Sequence, residues 1–253
     1  MQLTLTEILN YHAGRDFGSS GFREVALSVF NGTDKAFTYH VFHLWRVKDD
    51  SCSSLYFLSE PQILTGTAVL VVERPFAAEM QIWIRLRTAE HAIAVDSSRR
   101  EQLVLGTDFT YSDLRFWLPT NEYQVDAISF NDSEDAPEWI LNAQRCSLSK
   151  DASRVRIKLD GMRWLPLAIE WYRTEAINPV RIYSATDLVC CDGIWTPRVI
   201  SVSRPHESYR TVMTLIRALH GAEVPSEMLQ VRNLGHLVKS SFEEWNSSAE
   251  VFS

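Results

Sequence analysis

The chain lacks most of the marks by which a sequence declares a chemistry. It holds no Gly-x-Gly-x-x-Gly and no phosphate-loop lysine, so no nucleotide fingerprint is present. Gly-x-Ser-x-Gly is absent too. The nearest serine run, Gly18-Ser19-Ser20-Gly21, sits between a predicted helix and a strand, the wrong order for a nucleophile elbow. The four cysteines, Cys52, Cys146, Cys190 and Cys191, have no zinc spacing, and the adjacent pair would face opposite sides of a strand. They read as three or four buried free thiols, which favours a reducing compartment. No metal and no cofactor is expected. Basic residues are in deficit, 25 against 32 acidic, for a net charge of -7. That balance argues against a nucleic-acid partner and against steering to anionic headgroups. No apolar run approaches the roughly 18 residues of a membrane span. Met1-Gln2-Leu3-Thr4-Leu5 has no basic start followed by an apolar core, so no signal peptide is expected. The compartment stays open: cytoplasmic if the chain is complete as written, otherwise reached by a signal already removed.

What is present is apolar and β-rich. Apolar residues make up 45% of the 253 positions and aromatics 11%, including eight Trp, enough for a sizeable core. Large rings fill thick sheet cores and also line apolar pockets. With no repeat, linker or low-complexity tract, residues 1–253 read as a single domain. Residues 4–16 carry Ile8, Leu9 and His12 at helical spacing, with Thr6 as the expected cap and Gly14 and Gly18 as stops. From Phe22 the period changes to two. A first strand block runs over residues 22–95 and includes a hairpin at Asn31-Gly32-Thr33-Asp34. A second block runs over 123–218, where Val155, Ile157 and Leu159 alternate with Arg154, Arg156 and Lys158. Residues 226–245 return to mostly helical spacing, and 246–253 look frayed.

Between the two blocks lies a stretch with no strand pattern, within residues 103–119. Gly106 breaks the apolar run, Thr107 or Asp108 would cap a helical turn, and Phe109, Tyr111 and Leu114 offer apolar surface. It reads as an element laid across a sheet. About a dozen sequential strands make one large antiparallel sheet that must curl to limit its edges. The predicted fold is therefore a mainly β half-open barrel whose concave face is covered by helical segments, here residues 4–16, the 103–119 stretch and the C-terminal segment, enclosing an apolar cavity.

Gly106-Thr107-Asp108-Phe109-Thr110-Tyr111-Ser112-Asp113-Leu114 resembles the Gly-Ser-Asp-Phe-Ser-Tyr-Glu-Asp-Leu signature of the larger relatives in the outer-membrane lipoprotein-sorting protein superfamily. Leu64-Thr65-Gly66-Thr67-Ala68-Val69-Leu70 is similar to their strand with an Arg-Gly-Thr motif. Trp164-Leu165-Pro166-Leu167 and Gly193-Ile194-Trp195-Thr196-Pro197 fit a matching strand-turn pattern, and Thr6-Glu7-Ile8-Leu9 resembles their first helix. The likeness spans about residues 4 to 234. It implies a half-open barrel with a helical lid, a hydrophobic-ligand cavity and, in typical members, a periplasmic acyl-chain carrier. It does not imply catalysis. The chain departs from the pattern at Ser112, where the family has an acid, and at Trp83-Ile84-Arg85-Leu86-Arg87, which replaces a Trp-rich Tyr-Leu-Pro stretch.

Two functions follow. The first is binding or carriage of a hydrophobic small molecule or acyl chain, with Phe109, Tyr111, Trp117, Trp83, Trp171 and Tyr172 as lining residues. The second is a cofactor-independent cyclase or isomerase that templates a hydrophobic polyketide-like substrate with acid or base help. Its candidates are Glu170, His40, His43, Asp108 and Tyr111. Plainer roles stand beside these: surface or satisfied histidines, aspartates serving as caps, and an outward-facing Glu170 paired to an arginine, against the sharper reading of a Glu170 buried beside Tyr172 with a raised pKa. Oligomeric state is not legible.

Overall fold

The computed structural model describes residues 3–49, 51–74, 79–115, 123–133, 136–145 and 153–252. It contains one antiparallel sheet of fourteen strands. The first six are β1 (Ser20–Asn31), β2 (Asp34–Lys48), β3 (Ser51–Glu60), β4 (Ala68–Arg74), β5 (Glu79–Arg85) and β6 (Ile93–Ala94). The next seven are β7 (Tyr123–Asn131), β8 (Glu138–Arg145), β9 (Arg154–Asp160), β10 (Pro166–Tyr172), β11 (Arg181–Cys191), β12 (Ile194–Arg204) and β13 (Tyr209–His220). A short β14 (Glu250–Val251) pairs with Arg217 and Ala218 of β13. Residues expected to fray thus gain a sheet partner.

The strand order is β6-β5-β4-β3-β2-β1-β13-β12-β11-β10-β9-β8-β7. Two meanders are therefore joined at their first and last strands, with Phe22 opposite Leu219 and Leu27 opposite Met213. β6 and β7 are consecutive in the chain yet lie at opposite edges of the sheet. The connection between them has to cross the sheet, which is why the stretch after residue 95 cannot be a strand of it.

The central strands are buried on both faces, because successive side chains point to opposite sides. Phe22, Leu44, Leu55 and Leu70 lie in one register row and face one way. This face packs on the C-terminal segment, whose Leu234, Leu237, Phe242 and Trp245 fill it. Phe242 is fully buried, with its ring 4.7 Å from Phe57 and 5.2 Å from Phe42. The opposite face carries Arg23, Val25 and Leu27. Three helical covers were expected on one face; the structure divides them between two. The C-terminal segment takes the first face, while α1 (Leu5–Ala13) and the 103–115 stretch take the second.

α1 begins at Thr4 rather than Thr6. Thr4 and Glu7 form a reciprocal capping box: Thr4 N–H donates to Glu7 Oε2 at 2.8 Å, and Glu7 N–H donates to Thr4 Oγ1 at 3.4 Å. The helix buries Ile8 among Trp139, Leu141, Ile157 and Trp171 of β8 to β10. Among the described residues no helix is long and apolar enough to cross a membrane. Cys52 and Cys191 are buried free thiols, whereas Cys190 is exposed; Cys146 lies outside the described residues.

Candidate functional site

The crossing connection is held in place residue by residue. Leu105 and Gly106 both adopt left-handed φ, 50° and 77°, and fold the chain back so that Val104 N–H donates to Phe109 O at 2.7 Å. Gly106 suits such a turn; Leu105 adopts it at a cost, offset in part by Tyr39, whose hydroxyl donates to Leu105 O at 2.8 Å. Thr110 then starts a 3-10 turn, Tyr111–Leu114. Its N–H and hydroxyl donate to Asp113 Oδ2 at 2.6 and 2.9 Å. The cap is thus Thr110, beyond the expected Thr107 or Asp108.

The two aspartates of this segment bind it to β11, β12 and β13. Asp108, 1% exposed, accepts from Arg204 Nε at 2.7 Å and from the Thr211 hydroxyl at 2.7 Å. Asp113 is ion-paired with Arg181, whose guanidinium also lies 4.4 Å over the Trp171 ring. On the other side Tyr56 donates to Leu114 O at 3.0 Å. Tied to both halves of the sheet, the segment stands over the second face without filling it.

Beneath it lies a pocket of about 290 Å3. Val25, Leu27, Val41, Leu58 and Ile169 contribute aliphatic surface, with Phe109 from the cover and Trp171 from β10. One end is polar. Arg23, His43 and Tyr56 form a register row across β1, β2 and β3, and the His43 ring stacks on Tyr56 at 4.2 Å. Burial, followed by the repulsion of Arg23, holds the His43 pKa well below the ordinary histidine value, so His43 is neutral at pH 7. Burial likewise lowers Arg23 and Arg15 to about 10, which leaves both charged. His12, on α1, is lowered to about 3 by burial first and Arg15 second. Its Nδ1 lies 2.8 Å from Trp164 O, so Nδ1–H donates there, and the bare Nε2 lies 3.1 Å from Arg15 Nη1.

The predicted site residues scatter around this geometry. Phe109, Trp171 and His43 line the pocket. Tyr111 packs beside it against Val69, Val71, Met80 and Ile82. Trp83 points to the other face and joins the C-terminal core. Glu170 and Tyr172 also face away from the pocket; Tyr172 donates to Glu170 Oε2 at 2.5 Å, with Arg156 at 4.0 Å. His40 lies 3.6 Å from Glu24, again on the other face. Trp117 is outside the described residues. The five groups proposed for acid-base work do not converge on one point, and Asp108 is committed to Arg204 and Thr211. Among the described residues no cluster of three His, Cys, Asp or Glu is placed to hold a metal.

Sequence reasoning passed over Arg23, Arg181 and Arg204. Arg23 had a signal: it shares its strand phase with Val25, Leu27 and Val29. Phe22 is buried on the opposite phase, so neither phase of β1 reads as solvent and the arginine does not stand out.

A comparison with curated proteins finds no match. Solved structures of the same fold do match. A DUF1329-family protein from Desulfovibrio piger aligns over 90% of this chain and 96% of its own, at TM-score 0.79 and 17% identity. A structure described as an outer-membrane lipoprotein-sorting protein domain, from Vibrio parahaemolyticus, aligns over 90% and 97%, at TM-score 0.79 and 16% identity. A LolA-superfamily protein from Nitrosomonas europaea aligns over 90% and 98%, at TM-score 0.67 and 15% identity. A model of a family of uncharacterized proteins matches residues 50–236. The chain belongs to that family, and its unclosed antiparallel sheet shares the fold of these three structures.

Proposed function

We propose that the protein binds or carries a hydrophobic ligand, an acyl chain or lipid-like molecule, in the pocket beneath residues 103–115. One observation carries this reading. The apolar side chains of Val25, Leu27, Val41, Leu58, Phe109 and Trp171 converge on a volume that described side chains leave open. Its 290 Å3 lies near the lower end of ligand pockets, roughly 300–1,000 Å3. Each methylene buried there contributes about 0.8 kcal/mol, so a chain binds without many polar contacts. The fold shared with a structure named for lipoprotein sorting supports the same reading. The 103–115 segment and α1 would gate entry.

Native mass spectrometry of freshly purified protein, with titration of a fluorescent fatty acid, tests it. The expected result is a lipid-sized adduct or saturable uptake at one site. A clean apo mass together with no uptake of any fluorescent fatty acid sinks the proposal.

A further inference from the structure

The pocket is not uniformly apolar, and among its charged lining side chains four arginines face three acids. Six basic side chains line it: His12, Arg15, Arg23, His43, Arg115 and Arg181. The acids that line it are Asp16, Glu101 and Asp113, each engaged elsewhere. Asp16 accepts from Gly18 N–H at 2.8 Å, Glu101 from the Ser112 hydroxyl at 2.8 Å, and Asp113 from Arg181 and Thr110.

Arg23 is the group without an acid. One Nη donates to Thr196 Oγ1 at 3.2 Å, the guanidinium lies 4.6 Å over the Trp45 ring, and Nε has no hydrogen-bond partner. No ion pair to a carboxylate accompanies these contacts among the described residues. Arg23 is half-buried with its Nε shielded, and a guanidinium partly withdrawn from water with its donors half used is costly, since desolvation is repaid only by an opposite charge and full hydrogen bonding. Such a cost points to a partner that arrives from outside. Thr196 is 3% exposed and accepts from Arg23, so its own hydroxyl proton remains available to a second oxygen.

The apolar surface begins at once beyond this point. The next pocket-facing residues along β1 are Val25 and Leu27, flanked by Val41, Leu58, Ile200 and Met213. From Arg23 to Leu27 the strand advances about 13 Å. A cation at one end and an aliphatic floor leading away from it are complementary to an amphiphile.

Resting on the ligand-binding reading above, we propose that the pocket selects a single-chain amphiphile with an anionic head, a carboxylate or a phosphate. The head is seated between the Arg23 guanidinium and the Thr196 hydroxyl, with the tail along Val25 and Leu27. The negative net charge of the whole chain does not oppose this, because the recognition is made inside the pocket, where arginines outnumber acids, the acids are engaged and the dielectric is low.

Calorimetric titration with dodecanoate, dodecyl phosphate and dodecanol below their micellar concentrations, against wild type, Arg23→Met and Arg23→Lys, is the test. Charge-assisted hydrogen bonds predict that wild type binds the anionic chains roughly 10- to 100-fold more tightly than the alcohol. Whichever anion binds tighter, carboxylate or phosphate, names the source. Arg23→Met removes the preference while leaving dodecanol affinity within about threefold, and Arg23→Lys restores part of it. Thermal melts check that the Met variant is folded; if it is not, Thr196→Val takes its place and loses a smaller share of the preference. Equal wild-type affinity for dodecanoate and dodecanol, or a preference that survives in a folded Arg23→Met, overturns the proposal. Failure of all three compounds to bind wild type overturns the ligand-binding reading itself.

Discussion

The two faces of the central strands are built from the same stretch of chain and end in opposite states. On one, Phe22, Leu44, Leu55 and Phe57 meet a C-terminal segment that puts Leu234 and Phe242 directly against them, and all six side chains are fully buried. On the other, Val25, Leu27, Val41 and Leu58 meet a cover that is anchored at its margins by Asp108–Arg204, Asp113–Arg181 and Tyr56. The first cover is held by interdigitated apolar side chains, so its face is a core. The second is held by polar ties to strands on both sides and by Leu105, Tyr111 and Leu114, which pack on apolar side chains of that face, with the pocket beside them. Both faces are apolar; they differ in the polar ties that the second cover adds to its apolar contacts.

That contrast can be broken in graded ways. The largest effect is expected from Phe242→Ala, which empties the centre of the dry face and should cost about 3–5 kcal/mol in a denaturant melt. Fatty-acid affinity should stay within about twofold; if it collapses in a variant that is still folded, the two faces are not independent.

Next is Asp108→Ala, which cuts the anchor of the other cover. Breaking a buried pair costs about 3–5 kcal/mol; with Arg204 part exposed and also contacting Glu207, about 2 kcal/mol is expected. The distinguishing readout is limited proteolysis, which should quicken within residues 103–115 and not in the C-terminal segment.

A pH dependence carried by buried histidines belongs to the pocket face, where His12, His43 and His220 are all lowered by burial. His12 is held neutral, its pKa lowered to about 3 from an ordinary 6.5. Between those values the unfolded chain binds a proton that the folded chain refuses, so stability falls as the pH is lowered through 6.5 and the loss ends near 3. From pH 6.5 to 5.5 this costs up to about 1.4 kcal/mol. His12→Gln can still donate to Trp164 O and should reduce that slope in melts across this range, with the shares of His43 and His220 remaining. An unchanged slope would remove His12 from the account.

The smallest stability change is expected from Leu27→Phe. The added ring enters open volume rather than a packed core, so the melting free energy should move by less than about 1 kcal/mol. Fatty-acid affinity should nonetheless fall about tenfold, a split between binding and stability that a filled core would not allow.

Much of the fold was readable because strand period and turn chemistry are local. The thirteen principal strands follow from alternation and from breakers such as Asn31-Gly32, and the opposite facing of Cys190 and Cys191 follows from strand geometry alone. Capping was readable in kind and less so in place: Thr4 with Glu7 three residues on is a capping box visible in the sequence, as is Thr110 with Asp113. The site was harder. Trp83, Glu170 and Tyr172 offer a pocket the same chemistry as Phe109 and Trp171, yet each lies on the partly exposed phase of its strand, in step with Gln81 or opposite Arg156 and Arg154.

The amino-acid sequence by itself determined a β-rich chain, the positions of its strands, and a covering stretch within residues 103–119, of which 116–119 lie outside the described residues, that no strand pattern could absorb. Only the tertiary structure decided which face each side chain serves. It did so by pairing β1 with β13, which sends the β6–β7 connection across one face and leaves the C-terminal segment to the other. That pairing joins residues nearly two hundred positions apart, as do the Arg23–Thr196 contact and the Asp108 anchor over about a hundred. A period of two reports the alternation along a strand. Which of its two faces has a hollow beneath the cover is settled by contacts between residues far apart in the chain.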